Sequence, residues 1–231
     1  MEKEVIIYCY RMTHDYGINP CVFTSDYQGT PDLLTEGGCM KAIRLNLNKH
    51  WVHKIRRGEV EAYMMAVAGY SDDCGRKCDK EGRGFITPHR NRLIFVAKIC
   101  DVISRGEYLA SAVSKNRRDS YTYNWEIERY DLWDSKVLQE PMILSKDFRY
   151  FGQSALELSA EIVELFPSGN RAMLGGKRFP IWNAKNGFYR STERPQETAE
   201  LLEFIQNVFV STEPIVDLPY YPIYPIYPKG E

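Results

Sequence analysis

Two stretches of the chain carry side chains of the types and spacing that could do chemistry. In Tyr10-Arg11-Met12-Thr13-His14-Asp15-Tyr16-Gly17-Ile18-Asn19-Pro20, a histidine abuts a carboxylate among tyrosines, an arginine and an asparagine. His14 and Asp15 are suited to general acid–base work, with a titratable imidazole beside an acceptor that can orient it; the same pair in a turn also serves as a cap or a ligand contact. The second stretch, Met142-Ile143-Leu144-Ser145-Lys146-Asp147-Phe148-Arg149-Tyr150-Phe151-Gly152, begins apolar and then alternates aromatic with charged residues up to a glycine. Tyr10, Tyr16, Phe148, Tyr150 and Trp182 offer faces on which a nucleobase could stack, a contact worth roughly 1–3 kcal/mol per base. Each taken singly is also an ordinary core residue. Arg44 and Arg118 present guanidinium forks suited to phosphate, and Arg11, Asn19, Asp119 and Ser145 add groups that could read a base edge.

The elements that must position these groups read as a strand-rich α+β chain. Glu4–Met12 is a first strand ending at the His14–Asp15 turn, and Gly17, Asn19 and Pro20 supply loop chemistry. Leu33 to Leu47 alternates poorly and suggests one or two strands broken at Gly37-Gly38. Val60 to Gly69 and Arg92 to Val102 are apolar strands, and a short helix follows from Arg105 to Val113. Tyr121 to Tyr130 and Lys136 to Leu138 suggest strands leading into 142–152, which we place at the centre of the sheet with Phe151 buried and Ser145 or Tyr150 facing a cleft. Helices are predicted over Ser154–Phe166 and Thr192–Val210, the second with proline and glutamates in its first turn and a stripe of Ala199, Leu202, Ile205 and Phe209. The stretch 71–91 and the segment Gly175 to Asn183 are loops. The expected fold is a mixed, strongly bent β-sheet or a small β-barrel with a few flanking helices.

Composition limits the function classes. The 231 residues are 44% apolar and 26% charged, ordinary for a globular chain. No apolar run approaches a membrane span and no signal-peptide pattern opens the chain, so a cytoplasmic protein without membrane association is expected. Of the six cysteines, Cys74 and Cys78 have a spacing that could hold metal, with His89 downstream, but no second pair completes a zinc site, and free thiols are the expectation. Phosphate-binding glycine loops, nucleophile elbows and paired metal motifs are not found, and no cofactor is implied. Between Lys41 and Gly58 lie Lys41, Arg44, Lys49, Lys54, Arg56 and Arg57 with no acid, a segment that could neutralise phosphates. From Pro219 a proline recurs every third position, the period of a polyproline II strand. That gives residues 1–212 as a single α+β domain and 213–231 as a proline- and tyrosine-rich tail. The tail could lie on its own domain, join two copies in a homodimer, or dock elsewhere.

These stretches resemble the nucleotide-modification-associated domain family of bacteria and phages. Its first strand runs into a loop similar to Asp15-Tyr16-Gly17-Ile18-Asn19-Pro20, here with Asn and Pro exchanged. A cysteine followed by a basic residue resembles Cys39 and Arg44, ahead of the strand Gly58 to Gly69. A later element resembles Arg118-Asp119-Ser120-Tyr121, with arginine where glycine is expected. Leu144-Ser145-Lys146-Asp147-Phe148-Arg149-Tyr150-Phe151-Gly152 resembles the family's closing motif most specifically. The likeness spans roughly residues 5–210, with the 71–84 loop and the tail as additions. It implies a setting in DNA base modification rather than a reaction, and the pattern is similar to the PUA and EVE barrels that read modified bases. The expectation is therefore a module that binds a modified nucleotide or a modified base in nucleic acid. The alternatives are an enzyme acting on a nucleotide or flipped base through His14 and Asp15, and an oligomeric scaffold using the tail.

Overall fold

A computed structural model describes residues 3–12, 15–38, 40–69, 90–120, 135–167 and 187–219. His14, Cys39, Cys74, Cys78, Trp182, the 71–84 and 175–183 loops, the strand expected over 121–130 and tail residues 220–231 lie outside them.

The described residues form one six-stranded mixed sheet flanked by helices. In chain order the elements are β1 (Glu4–Met12), β2 (Leu34–Glu36), α1 (Lys41–Asn46), α2 (Val52–Arg56), β3 (Val60–Ala68), β4 (Leu93–Ser104), α3 (Arg105–Ala110), α4 (Ser135–Leu138), β5 (Pro141–Tyr150), α5 (Ala160–Glu164), β6 (Phe188–Arg190) and α6 (Pro195–Ser211). The strands lie in the order β2-β5-β4-β3-β1-β6. Only β1 and β3 run parallel, with Glu4 opposite Val60 and Met12 opposite Ala68; the remaining neighbours are antiparallel. β1 reads as an unbroken apolar run because both of its faces are covered. Among the described residues, β2 and β6 are open ends of the sheet and do not close it into a barrel.

Side-chain alternation sends β1 to two cores. Ile6, Tyr8, Tyr10 and Met12 join Ala62, Met64, Phe95, Phe148 and Tyr150 beneath Ile43, Leu47 and Val52 and the loop residues Val22 and Phe23. Ile7 and Cys9 face the other way, to Tyr63, Met65, Val96, Phe151 and the α6 residues Leu201, Ile205 and Val208. The strand 142–152 is not central: β5 is next to the β2 edge, and β3 and β4 occupy the middle. Phe151 is buried as expected, but so are Ser145 and Tyr150, neither of which is exposed to solvent.

Four elements differ from the sequence reading, the first being the helix expected over Ser154–Phe166, which is α-helical only over Ala160–Glu164. Residues 41–47, expected as strand, are helical, and the helix runs on to Arg56 with a π-helical stretch at Leu47–Trp51 between α1 and α2. Ile43, Leu47 and Trp51 recur at intervals of four and bury one face, a helical period that the interspersed charges obscured. Residues 136–138 belong to α4 rather than to a strand. In α6 the buried stripe is Thr198, Leu201, Ile205 and Val208; Ile205 is buried as expected, but Leu202 and Phe209 are only partly buried and Ala199 is exposed. No described helix is long and apolar enough to cross a membrane.

Candidate functional site

The residues with chemistry are drawn together under the first core, in a buried polar layer built from the loop 15–38, α1, α3 and the turn at 117–119. Its floor is β5. At one end, the Tyr150 hydroxyl donates to both carboxylate oxygens of Asp15 at 2.7 Å each, and the Gly17 amide donates to the same carboxylate at 3.3 Å. Burial first, and then the charge of Asp15, raise the Tyr150 hydroxyl well above its ordinary range, so it stays a proton donor. The Tyr150 ring meets Phe23 edge-on at 5.4 Å, and Phe23 meets Tyr27 in the same way at 5.9 Å. Arg118 lies over the Tyr27 ring, 3.5 Å from its centre, with Nη1 donating to the Ser25 carbonyl at 2.9 Å.

The middle of the layer is centred on Asp119. Tyr108 donates to its Oδ1 at 2.7 Å, Thr35 donates to its Oδ2, and the Arg117 guanidinium stands 3.8 Å away. Arg117 fans out to Thr30 Oγ1 at 2.6 Å, the Cys21 carbonyl at 2.7 Å and the Leu33 carbonyl at 3.1 Å. One buried arginine thus ties the two limbs of the loop 21–35 together. The Cys21 thiol is pushed up to about 12, first by burial and then by the Asp119 charge, which keeps it a neutral thiol.

The far end surrounds Gly37-Gly38. The Asn19 side-chain oxygen accepts from the Gly37 and Gly38 amides at 3.3 and 2.6 Å, across a cis Asn19–Pro20 peptide. A Cβ at Gly38 would fall 2.1 Å from the Asn19 amide nitrogen, so the approach requires glycine. Arg44, 1% exposed, donates to the Pro141 carbonyl at 2.6 Å and reaches Glu140 at 3.5 Å. Glu140 also accepts from Lys41 at 2.7 Å. Burial would raise its carboxyl, but the Lys41 hydrogen bond and the charges of Arg44, Lys41 and Arg105 outweigh burial and hold it below the usual range. Arg105 opens α3 from a capping box, in which the Glu107 amide donates to Ser104 Oγ at 3.1 Å and Glu107 accepts from the Ser104 amide at 2.7 Å. Its Nη2 donates to the Gly37 carbonyl at 2.6 Å.

Of the residues singled out from sequence, Asp15, Asn19, Arg44, Arg118, Asp119 and Tyr150 share this layer, and Tyr16 is half-buried in the same loop. The others go elsewhere. Tyr10 and Phe148 are core residues, Tyr10 packing edge-on to Phe95 at 6.1 Å, so the stacking platform expected from Tyr10, Phe148 and Tyr150 is a set of inward-facing strand positions. Arg11 points to the opposite side of the sheet and donates to the Pro167 carbonyl at 2.5 Å and Asn91 at 2.6 Å. Ser145 bonds the main chain of Asp147 at 2.9 Å within β5. The basic run is also less free than its sequence suggests: besides Lys41 and Arg44, Arg56 pairs with Asp101 at 2.8 Å and Arg57 with Glu59 at 2.5 Å. Glu59 adjoins the run, whereas Asp101 and Glu140 come from distant parts of the chain that a local charge count does not register.

Sequence reasoning missed Thr35, Glu36, Tyr108, Arg105 and Arg117. The capping pattern Ser104-Arg105-Gly106-Glu107 was the available signal for Arg105, since it fixes that side chain at the start of a helix. Glu36, wholly buried on the edge strand β2, had no such signal. Among the described residues, no group of histidine, cysteine and acidic side chains could hold a metal ion. No family model matches the chain, and neither a curated protein nor a solved structure matches it.

Proposed function

We propose that the chain is a binding module for a modified nucleotide or a modified base in nucleic acid, working in the setting of DNA base modification, with the ligand held at the buried polar layer. The observation that supports this is convergence. Asn19, Gly37-Gly38, Arg44, Arg105 and Asp119 come from separate elements and meet around one turn between β2 and α1. A layer of this kind offers rigid donors and acceptors at fixed positions, as discrimination between closely similar bases requires. Asp15 is engaged by Tyr150 and wholly buried, which favours a positioning role for it over proton transfer. The likeness to PUA and EVE barrels enters only as an analogy of fold, and function does not follow from fold. Cytoplasmic placement, a nucleic-acid partner and pairing of two copies through the tail belong to the same proposal.

The test is a titration of the full chain by calorimetry against nucleosides and nucleoside monophosphates. The panel carries 5-substituted pyrimidines and N6-substituted adenines beside their unmodified forms, with single-stranded oligonucleotides containing the same bases. Tighter binding of one modified form, weakened by Asn19→Ala without a matching fall in melting temperature, supports the module. Equal or absent binding across the panel sinks it, and chemical turnover of any member moves the reading to an enzyme.

A further inference from the structure

We propose that Arg105 is the receptor for a phosphate monoester, the terminal phosphate of a nucleotide, at the turn Gly37-Gly38; this rests on the nucleotide-binding reading above and names the part of the ligand held there. Arg105 is 3% exposed. Among the described residues its guanidinium makes one hydrogen bond, from Nη2 to the Gly37 carbonyl, and Nε and Nη1 are buried with no partner there. A guanidinium carries five N–H donors, and its two forked edges share Nη2, so one bond to Gly37 leaves at least one complete fork unused. Buried donors of a charged group are costly to leave unmade, and such a group in a native structure calls for an explanation.

Arg105 shares its surroundings with a second buried guanidinium and three carboxylates. The carboxylates of Glu36, Asp119 and Glu140 are close enough to act on Arg105 electrostatically, yet among the described residues none forms an ion pair with it. Asp119 is engaged by Tyr108 and Thr35, and Glu140 by Lys41 and Arg44. Meanwhile the buried guanidinium of Arg44 repels that of Arg105. An anion accepting from the free fork would satisfy the donors and separate two like charges. A fork matches the spacing of two phosphate oxygens, and a dianion suits two guanidinium groups better than a carboxylate does. A monoester exposes three terminal oxygens and enters end-on, whereas a backbone diester carries a sugar on each side and cannot reach a side chain so deeply covered. Gly37 is packed closely on this guanidinium: a Cβ there would lie 3.1 Å from Arg105 Nη2 and 2.7 Å from Met142 Cε.

The experiment uses the full chain, with inorganic phosphate as the first probe at constant ionic strength. Calorimetric titration is paired with thermal melts in phosphate and in chloride. The wild type is expected to bind phosphate and melt higher in it, because a ligand that binds only the folded state stabilises that state. Arg105→Lys, which keeps the charge but loses the fork, is expected to weaken phosphate binding by about 10- to 100-fold. A wild type that neither binds phosphate nor melts higher in it overturns the proposal, whether or not the variant folds. A nucleoside monophosphate binding more tightly than its nucleoside, with the difference lost in Arg105→Lys, supports it. Equal binding of the two overturns the phosphate subsite and leaves the nucleotide-binding module standing. Phosphate binding that depends on Arg105, with no nucleoside or nucleotide bound, upholds the anion site and removes the nucleotide reading. An oligonucleotide without terminal phosphates that matches the monophosphate in affinity and in Arg105 dependence overturns the assignment to a monoester.

Discussion

At the scale of single residues, the hydroxyl of Tyr150 against the two oxygens of Asp15 is the most exacting contact in the site. Both partners are wholly buried, and the carboxylate has been taken out of water. Tyr150→Phe keeps the ring against Phe23 and removes only the donor. We expect it to destabilise the fold by about 1.5–3 kcal/mol, the scale of a hydrogen bond to a charged group, read as a lower urea midpoint with an unchanged slope. A midpoint equal to the wild type would show that Asp15 draws nothing from Tyr150. The acid–base reading of Asp15 rests on other grounds. A histidine and an aspartate adjacent in a turn describe a catalytic pair in composition, but composition does not say that Tyr150, 135 positions away, donates to the carboxylate.

At the scale of elements, most strands and α6 were legible because their apolar residues recur with a clear period, whereas phase and partnership were not. In α6, Leu201 and Leu202 are adjacent and identical in type, yet Leu201 is wholly buried in the core that holds Ile7 and Val96 while Leu202 is only partly covered. Leu201→Ala should cost about 2–5 kcal/mol and Leu202→Ala clearly less; equal losses in denaturant melts would contradict the orientation of this helix. The helical segment 41–56 was misread because its buried face includes Arg44, a residue type that a hydrophobic pattern scores as surface. Arg44 is inside because Pro141 and Glu140 receive its donors, and those partners lie 97 and 96 positions further along the chain. Edge strand β2 was legible as the stretch ahead of Gly37-Gly38, but not the burial of its polar Thr35 and Glu36, because three residues carry no period.

At the scale of the whole molecule, the tyrosines couple folding to alkaline pH. Burial, foremost among the causes, raises the hydroxyls of Tyr8, Tyr108 and Tyr150 above their ordinary value near 10.0. The folded chain therefore holds these protons more tightly than the unfolded chain. Stability should be full below that value and fall as pH rises through and beyond it, because unfolding then releases protons. Urea titrations from about pH 8 to pH 11 check this, and a midpoint that does not fall at the alkaline end would contradict the burial of these groups. The path of residues 214–219 has a consequence of another kind. The Tyr150 amide donates to the Pro214 carbonyl at 2.9 Å, the Val216 amide donates to the Tyr150 carbonyl at 2.8 Å, and Pro219 lies against Gly17. Ile215 packs on the same core as Tyr150. A nascent chain that has left the ribosome as far as residue 212 therefore owns every polar group from Asp15 to Tyr150 but not the segment that packs on Gly17 and Tyr150. Translation thus delivers the loop at 15–19 early and its cover some two hundred codons later, and in the interval that loop is held from one side only.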